Sequence, residues 1–497
     1  PTWSDAASGG VTSDAQDNTV GGTGAGANFS GSTANNNTLF GKNSGNQITS
    51  GDDNSAYGYG SLDAEQTGQY NNAFGKEALT TCNGASHNNA FGYQALKDCA
   101  GDGISNSAFG GHSMWKATTG DENCAFGYWS LGDGVLTSSQ NVAIGAHSFF
   151  KLTDGGLNTG LGRRAGYNVV SGASNVAVGG NAMDGAANAS GSENVAVGVN
   201  ALTSISSGSS NVAVGFNAAE LQTSAVKSVA IGWKALRSNL TATGNVAIGY
   251  EALRDVTSAN NVAIGHIAGQ TMVGAYNNVA IGIGSMSAGS GGTNYCVGIG
   301  SYAGYQMTGA NNVAIGQEAG YDVTSGGNNI FIGYHSGTAD GPGGSHSGGI
   351  SNKIVMGDDN INAAAIQVSW TAHSDRRDKT DITAFSPGLS WINKLTPVTY
   401  RWDNRSWYKE YNEDGSLKSE KTPDGTKKEA KLVLGLIAQD ELEVEKEHGY
   451  GDSVDNMLVC DTGIDGSKYG IQYERLIPIL VNAVKELSAK VEALEAK

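Results

Sequence analysis

A short phrase, Asn-x-apolar-x-Gly, recurs down this chain at a period of about seventeen residues, and that period limits the fold more than any other feature. It reads Asn141-Val142-Ala143-Ile144-Gly145 in one copy and Asn245-Val246-Ala247-Ile248-Gly249 in another, with Asn72-Ala73-Phe74-Gly75 as a looser form. Its eighteen glycines run from Gly41 to Gly333, and every interval between them lies within 16–19 residues. A unit this short is one supersecondary turn stacked on its neighbours, too small to hold two helices.

Within each copy Val262 and Ile264, or Val313 and Ile315, alternate with alanine. Such alternation marks a short strand with one face inward, and the expectation is that Ala, Val and Ile together fill a thin interior. The glycine ends the strand. An Ala-Gly or Ala-Leu pair follows (Ala165-Gly166, Ala319-Gly320, Ala78-Leu79), after which a second short strand and a polar turn are expected to close the coil. Eighteen coils at about 4.8 Å each make a rod of about 85 Å. The asparagine ahead of the strand is expected to form a hydrogen-bonded ladder along the stack in preference to a sugar-binding row.

The chain changes chemistry along its length. Residues 1–350 hold 33 charged side chains and 64 of the 74 glycines, whereas residues 374–497 hold 41 charged side chains and 9 glycines. No proline lies between Pro1 and Pro342, which fits a regular ladder whose N–H groups are all in use. The expected domains are an N-terminal segment 1–40, a β-repeat shaft 41–333, a junction 334–373 and a charged domain 374–497. A net charge of −17 argues against nucleic acid as a partner, and no apolar run reaches bilayer length, so no membrane insertion is expected. The opening PTWSDAASGG has neither a basic n-region nor an apolar h-region, which leads to the expectation of synthesis in a cytoplasm without export.

Cys82, Cys99, Cys124, Cys296 and Cys460 form no CxxC or His/Cys cluster, so neither a metal nor a cofactor is expected. Cys82 and Cys99 each stand seven residues after a coil glycine and would stack. In a reducing cytoplasm they read as equivalent small apolar fillers in preference to a disulfide.

The phrase from Asn311 to Gly320 resembles the head repeats of trimeric autotransporter adhesins, which are parallel β-rolls, and repeats of phage tail fibres. The fold class implied is mainly β: a repetitive β-roll or β-helix shaft of about eighteen coils, homotrimeric, followed by a small α+β chaperone domain ending in a trimeric coiled-coil helix. Neither a secretion signal nor a C-terminal membrane barrel accompanies the repeats, which turns the expectation toward a virus particle.

The most specific phrase is His373-Ser374-Asp375-Arg376-Arg377-Asp378-Lys379-Thr380-Asp381-Ile382. By itself it reads as a helix N-cap before a solvated charged turn. Its pattern, Ser-Asp-x-Arg-x-Lys-x-x-Ile, resembles the autocleavage motif of the intramolecular chaperone of endosialidase-type tailspikes and fibres. The stretches Ile392 to Trp402 and Gly435-Leu436-Ile437-Ala438-Gln439 are similar to the same family, although Asp378 and Asp440 depart from it. The resemblance implies Ser374 as nucleophile, Lys379 as its general base, His373–Ser374 as the bond cut, and Asp375, Arg377 and Ile382 as supporting motif positions. Lysine acts as a base only when neutral, which burial or adjacent positive charge favours, and Arg376 and Arg377 are expected to supply that charge.

Ile477, Leu480, Val484, Leu487, Val491 and Leu494 are spaced 3, 4, 3, 4 and 3 apart, an a/d seam that either joins three chains or packs one helix on its own domain. The function expected is a phage tail fibre that adheres to a host-surface glycan or protein receptor and contacts other virion tail proteins. The alternatives are a polysaccharide-depolymerising tailspike, drawing on groove carboxylates such as Asp121, Glu122 or Asp133, and a trimeric bacterial surface adhesin. Tyr167, Tyr305 and Tyr321, which follow Ala-Gly, are read as coil-corner packing before sugar stacking.

Overall fold

The computed structural model describes residues 10–30, 32–99, 103–289, 291–338, 349–361, 363–367, 370–411, 417–462 and 468–497. They fall into two compact units, Pro1–Tyr302 and Ala303–Lys497. The chain is mainly β, a solenoid with about one three-residue strand per repeat followed by a small domain with a few helices.

In the first unit a column of strands runs from Thr19–Gly21 to Val297–Ile299, each pairing parallel and in register with the next, as Val229↔Val246 and Val246↔Val262 show. Ahead of it Val11–Ser13 runs antiparallel to Thr19–Gly21 and covers the open edge of the first rung. The described residues 10–30 and 32–40 thus add a hairpin and one further coil to the shaft.

The alternation is real, but of the three residue types expected inside only alanine faces inward. Alanine at the strand centre (Ala143, Ala247, Ala263) is fully buried, while the flanking Val142 and Ile144, or Val262 and Ile264, point outward and stay partly exposed. The reason is cross-section. In most coils a buried Leu, Met or Phe four residues past the corner glycine shares the interior with the central alanine, as Leu62, Leu79, Met114 and Phe149 do, leaving room for one methyl group. Outward Val and Ile therefore form a long apolar stripe, continued toward the N-terminus by the rings of Phe40, Tyr57, Phe74, Phe91 and Phe109, stacked 4.7–5.3 Å apart.

The expected second strand is absent among the described residues. Instead, residues two and four past the coil glycine take left-handed backbone, as in Glu77 (φ 57°) and Leu79 (φ 51°). Alternate N–H groups of this winding segment still reach carbonyls of adjacent coils, as Glu77 N does to Tyr59 O at 2.8 Å and Leu79 N to Ala95 O at 3.1 Å, while Ala78 N donates to Gly75 O of its own coil at 3.4 Å. The glycine at the corner is obligatory on two counts. Gly75 has φ 140°, and a Cβ there would stand 2.3 Å from Gly92 O of the next coil.

The asparagine column is a buried ladder, as expected. Asn158 Oδ1 accepts from Asn175 N at 3.0 Å and from Asn175 Nδ2 at 3.1 Å, while Asn158 Nδ2 donates to Gly172 O at 2.9 Å. Where Ser228 interrupts the column, its N–H still donates to Asn211 Oδ1 at 3.0 Å, but its hydroxyl is buried without a partner. Ser228→Asn is expected to restore the ladder and stabilise the protein by about 1–2 kcal/mol. A thermal-denaturation midpoint that stays put or falls would contradict this account of the column.

All five cysteines are free thiols. Cys82 and Cys99 fill equivalent buried slots, and burial, with Cys99 adjacent, holds the Cys82 thiol well above its usual range.

In the second unit the parallel strands Val313–Ile315, Ile330–Ile332 and Ile354–Met356 continue the pattern, the last as a degenerate copy within Asn352–Gly357. The turn that follows is fastened to the C-terminal domain. Asp359 pairs with Lys468 at 2.7 Å and Trp407 Nε1 donates to Asn360 Oδ1 at 2.9 Å. That domain has its core at Trp391, Val444, Val459, Leu476 and Ile479. Its helices are α1 (Leu389–Ile392), α2 (Ala438–Glu447) and α3 (Leu476–Glu495). Trp391 Nε1 donates to the buried Glu441 at 2.8 Å, and burial raises that carboxyl above its usual range.

Candidate active site

The charged phrase folds as one turn. Asp375, not Ser374, is its cap: Asp375 Oδ1 accepts from Arg377 N at 2.9 Å and opens a single 3₁₀ turn, Arg376–Asp378. Lys379 N then donates to Arg376 O at 3.3 Å. The turn brings the two ends of the motif together, and Lys379 Nζ donates to Ser374 Oγ. The implied nucleophile and base are thus in direct contact, five residues apart in sequence.

Arg377 does something other than expected. Its guanidinium grips Asp375, with Nη2 2.6 Å from Oδ2 and Nε 3.1 Å from both oxygens. The pair holds the Asp375 carboxyl below its usual range and Arg377 above its own. The Arg377 charge is thereby compensated by Asp375 and is not aimed at Lys379. Its role is to brace the turn.

The surroundings are open. All residues from Trp370 to Thr383 are exposed in the single chain, among them His373, Ser374 and Lys379, with Trp370 at 80% and Ile382 at 56%. A Ser–Lys pair works when water is excluded from it, since a dry setting favours the neutral amine. Here the apolar side chains that would provide cover, Trp370 and Ile382, flank the pair without being packed on it.

Downstream the motif is anchored to α3. Asn482 Nδ2 donates to Phe385 O at 2.8 Å and Glu486 Oε2 accepts from Leu389 N at 3.2 Å. On this side α3 buries Leu476, Ile479 and Ala483. The predicted seam lies elsewhere on the same helix: Ile477, Leu480, Val484, Leu487, Val491 and Leu494 are all 44–69% exposed. Pro478 falls in the first turn, where its missing N–H costs little. The helix therefore serves its own core with one face and leaves the seam uncovered.

Residues 374–450 match the family described as Peptidase S74, chaperone of endosialidase. The match opens at Ser374 itself. No curated protein matches the chain. The C-terminal unit therefore carries an endosialidase-type chaperone domain behind a β-solenoid, and a chaperone of this kind implies trimer formation.

The groove carboxylates have structural partners. Asp121 accepts from Ile104 N at 2.8 Å, Glu122 from Gln140 Nε2 at 3.0 Å, and Asp133 pairs with Lys116 at 3.0 Å. Each ties its coil to a neighbouring one. Tyr305 and Tyr321 stack on each other at 5.1 Å, and Tyr167 stacks on Phe150 at 5.0 Å. Among the described residues no helix is long and apolar enough to cross a membrane.

Proposed function

We propose that the chain is a homotrimeric tail fibre of a virus particle, made in the host cytoplasm. In this reading residues 41–333 form the body of the shaft, extended by the coil at Thr19–Phe40 toward the virion and by the strand Ile354–Met356 in the junction 334–373, and 374–497 is a chaperone that trims itself away. The contact between Lys379 Nζ and Ser374 Oγ, at the first residue of the family match, carries this proposal.

In the reaction, Lys379 takes the proton of Ser374 Oγ, which attacks the carbonyl carbon of His373. The C–N bond between them breaks, the nitrogen receives the proton, and an ester joins His373 to Ser374 Oγ. Water then hydrolyses that ester, leaving a carboxylate on His373 and a free amino group on Ser374. Positioning within one turn replaces substrate binding. Trimerisation supplies the missing cover, since sister chains packed along the α3 seam would enclose residues flanking the motif.

Two uncovered apolar surfaces support the trimer: the α3 seam, and the Val/Ile stripe along the strand column. A repetitive shaft benefits from an end clamp, because a slip of one coil preserves nearly every contact. The test is intact mass and oligomeric state of the expressed protein. Pieces of residues 1–373 and 374–497, from a trimer, are expected. A monomer of 497 residues would refute both the cleavage and the assembly.

A further inference from the structure

We propose that the outer face of the winding segments between Tyr59 and Tyr167 binds an acidic polysaccharide. This rests on the reading of the chain as a surface-binding fibre and adds where, and to what chemistry, the shaft binds.

In most coils the residues one, two, five and six past the corner glycine point outward, while those three and four past it fill the core; buried side chains at the outward positions, such as Asp184, Asn217 and Ser287, lie outside this stretch. The inward positions are monotonous. The outward ones differ from coil to coil, so the coil itself does not require them. Every Lys and Arg before Lys227 lies within six residues of a corner glycine, on this face: Lys42, Lys76, Lys97, Lys116, Lys151, Arg163 and Arg164. The loop ahead of the asparagine column carries carboxylates and no Lys or Arg in this stretch, as at Asp52, Asp53, Asp121, Glu122 and Glu193, while on the winding face Asp63, Glu77, Asp98 and Asp133 are outnumbered by the cations. A chain of net charge −17 has thus gathered its cations on one flank of this stretch.

The cations are interleaved with rings. Lys76 lies over Tyr59 at 5.8 Å and over Tyr93 at 5.7 Å, and Arg164 lies over Tyr167 at 4.0 Å. Between them Trp129 stacks on His112 at 4.5 Å, with Trp115 edge-on to it at 5.2 Å. Tyr93 and Tyr128 stand about half exposed, at 46% and 54%. Lys76, Lys116 and Arg164 are paired with Glu77, Asp133 and Asp184, but Lys97, Lys151 and Arg163 have no ion pair among the described residues. Six coil steps separate Gly58 from Gly162, about 29 Å of track.

This pattern discriminates between partners. A protein partner calls for a contiguous apolar centre ringed by polar groups, whereas here cations lie beside rings along the whole track, at Lys76, Lys116, Lys151 and Arg164. A sister copy packed in register would set each cation beside its own equivalents, which repel; the periodic Val/Ile stripe suits that contact instead. A carboxylated saccharide chain presents C–H faces to rings and anions to cations in alternation, which matches the face. Double-stranded nucleic acid offers no exposed ring faces along its length.

The test uses affinity electrophoresis of the full-length protein through gels containing polygalacturonate, polysialate or neutral dextran. Retardation by at least one carboxylated polymer and not by dextran is expected, weakening as salt rises from about 0.1 M to about 1 M. Tyr93→Ala with Tyr128→Ala, both at exposed sites, should weaken binding about tenfold or more, and Arg163→Glu should do so too, whereas Trp233→Ala, outside the stretch, should not. No preference for carboxylated over neutral polymer, or unchanged binding by the double variant, overturns the proposal. Adsorption of labelled protein to a panel of encapsulated bacteria, run in parallel, separates the two failures. Adsorption that survives the double variant sinks this site alone, while no adsorption by the wild type sinks the reading of the chain as a surface-binding fibre as well.

Discussion

Alanine in place of Ser374 is expected to leave every chain at its full 497 residues, folded and trimeric but uncut. The hydroxyl is the only group the proposed chemistry takes from that side chain, and the turn does not depend on it, since Asp375 is the cap. Folding and cleavage should therefore separate cleanly. Lys379→Met should slow scission by about 10²–10⁴-fold, the usual loss when a general base is removed, while leaving assembly intact. A denaturing gel over a time course reads both. Two fragments from the Ser374→Ala protein, at the wild-type rate, would remove Ser374 from the mechanism. Arg377→Gln makes a useful companion. Because Arg377 braces Asp375 and is not directed at the amine, its loss should slow cleavage without abolishing it.

Val484→Asp is expected to abolish the trimer and, with it, cleavage. In the single chain Val484 is 66% exposed, so the change should spare the domain's own core of Trp391, Leu476 and Ile479. In a three-helix seam the same change sets three carboxylates together in an apolar interior, at a cost of several kcal/mol per ion. Sedimentation should show monomers or non-specific aggregates, and circular dichroism should retain the signal of the helices. An aspartate variant that remains trimeric would mean that α3 is not the joining element. A variant that is monomeric yet cleaves would mean that the exposed turn needs no cover from sister chains.

Much of the shaft was legible because its instructions repeat. The spacing of Gly41 to Gly333 set the coil, and the Asn column was identifiable as a ladder because one residue recurring in nearly every coil serves the coil. The direction of the strand was not legible. Period-2 alternation says that two faces differ, but with Ala on one and Val or Ile on the other both are apolar, and only the cross-section decides that the methyl group goes inside. The winding segment that replaced the expected second strand was hidden for a related reason. Left-handed backbone at Glu77 and Leu79 leaves no periodic signature and falls on residues that rarely adopt it. At the candidate site the pairing of Ser374 with Lys379 came from resemblance to a motif. The local sequence alone pointed to a cap, which proved to belong to Asp375. The engagement of Arg377 with Asp375 depends on a particular side-chain geometry that residue order does not specify. For α3 the seam was visible in the spacing, but its second use, through Ile479 and Ala483, required knowledge of what packs beside it.

The ion pair between Asp359 and Lys468 spans the bond between His373 and Ser374: one partner precedes it in the chain and the other follows. Scission would turn a tether within one polypeptide into a non-covalent latch between two. Departure of the helper would then be governed by ionic strength and dilution, and a fibre could keep its builder in place until the surrounding medium loosens that grip.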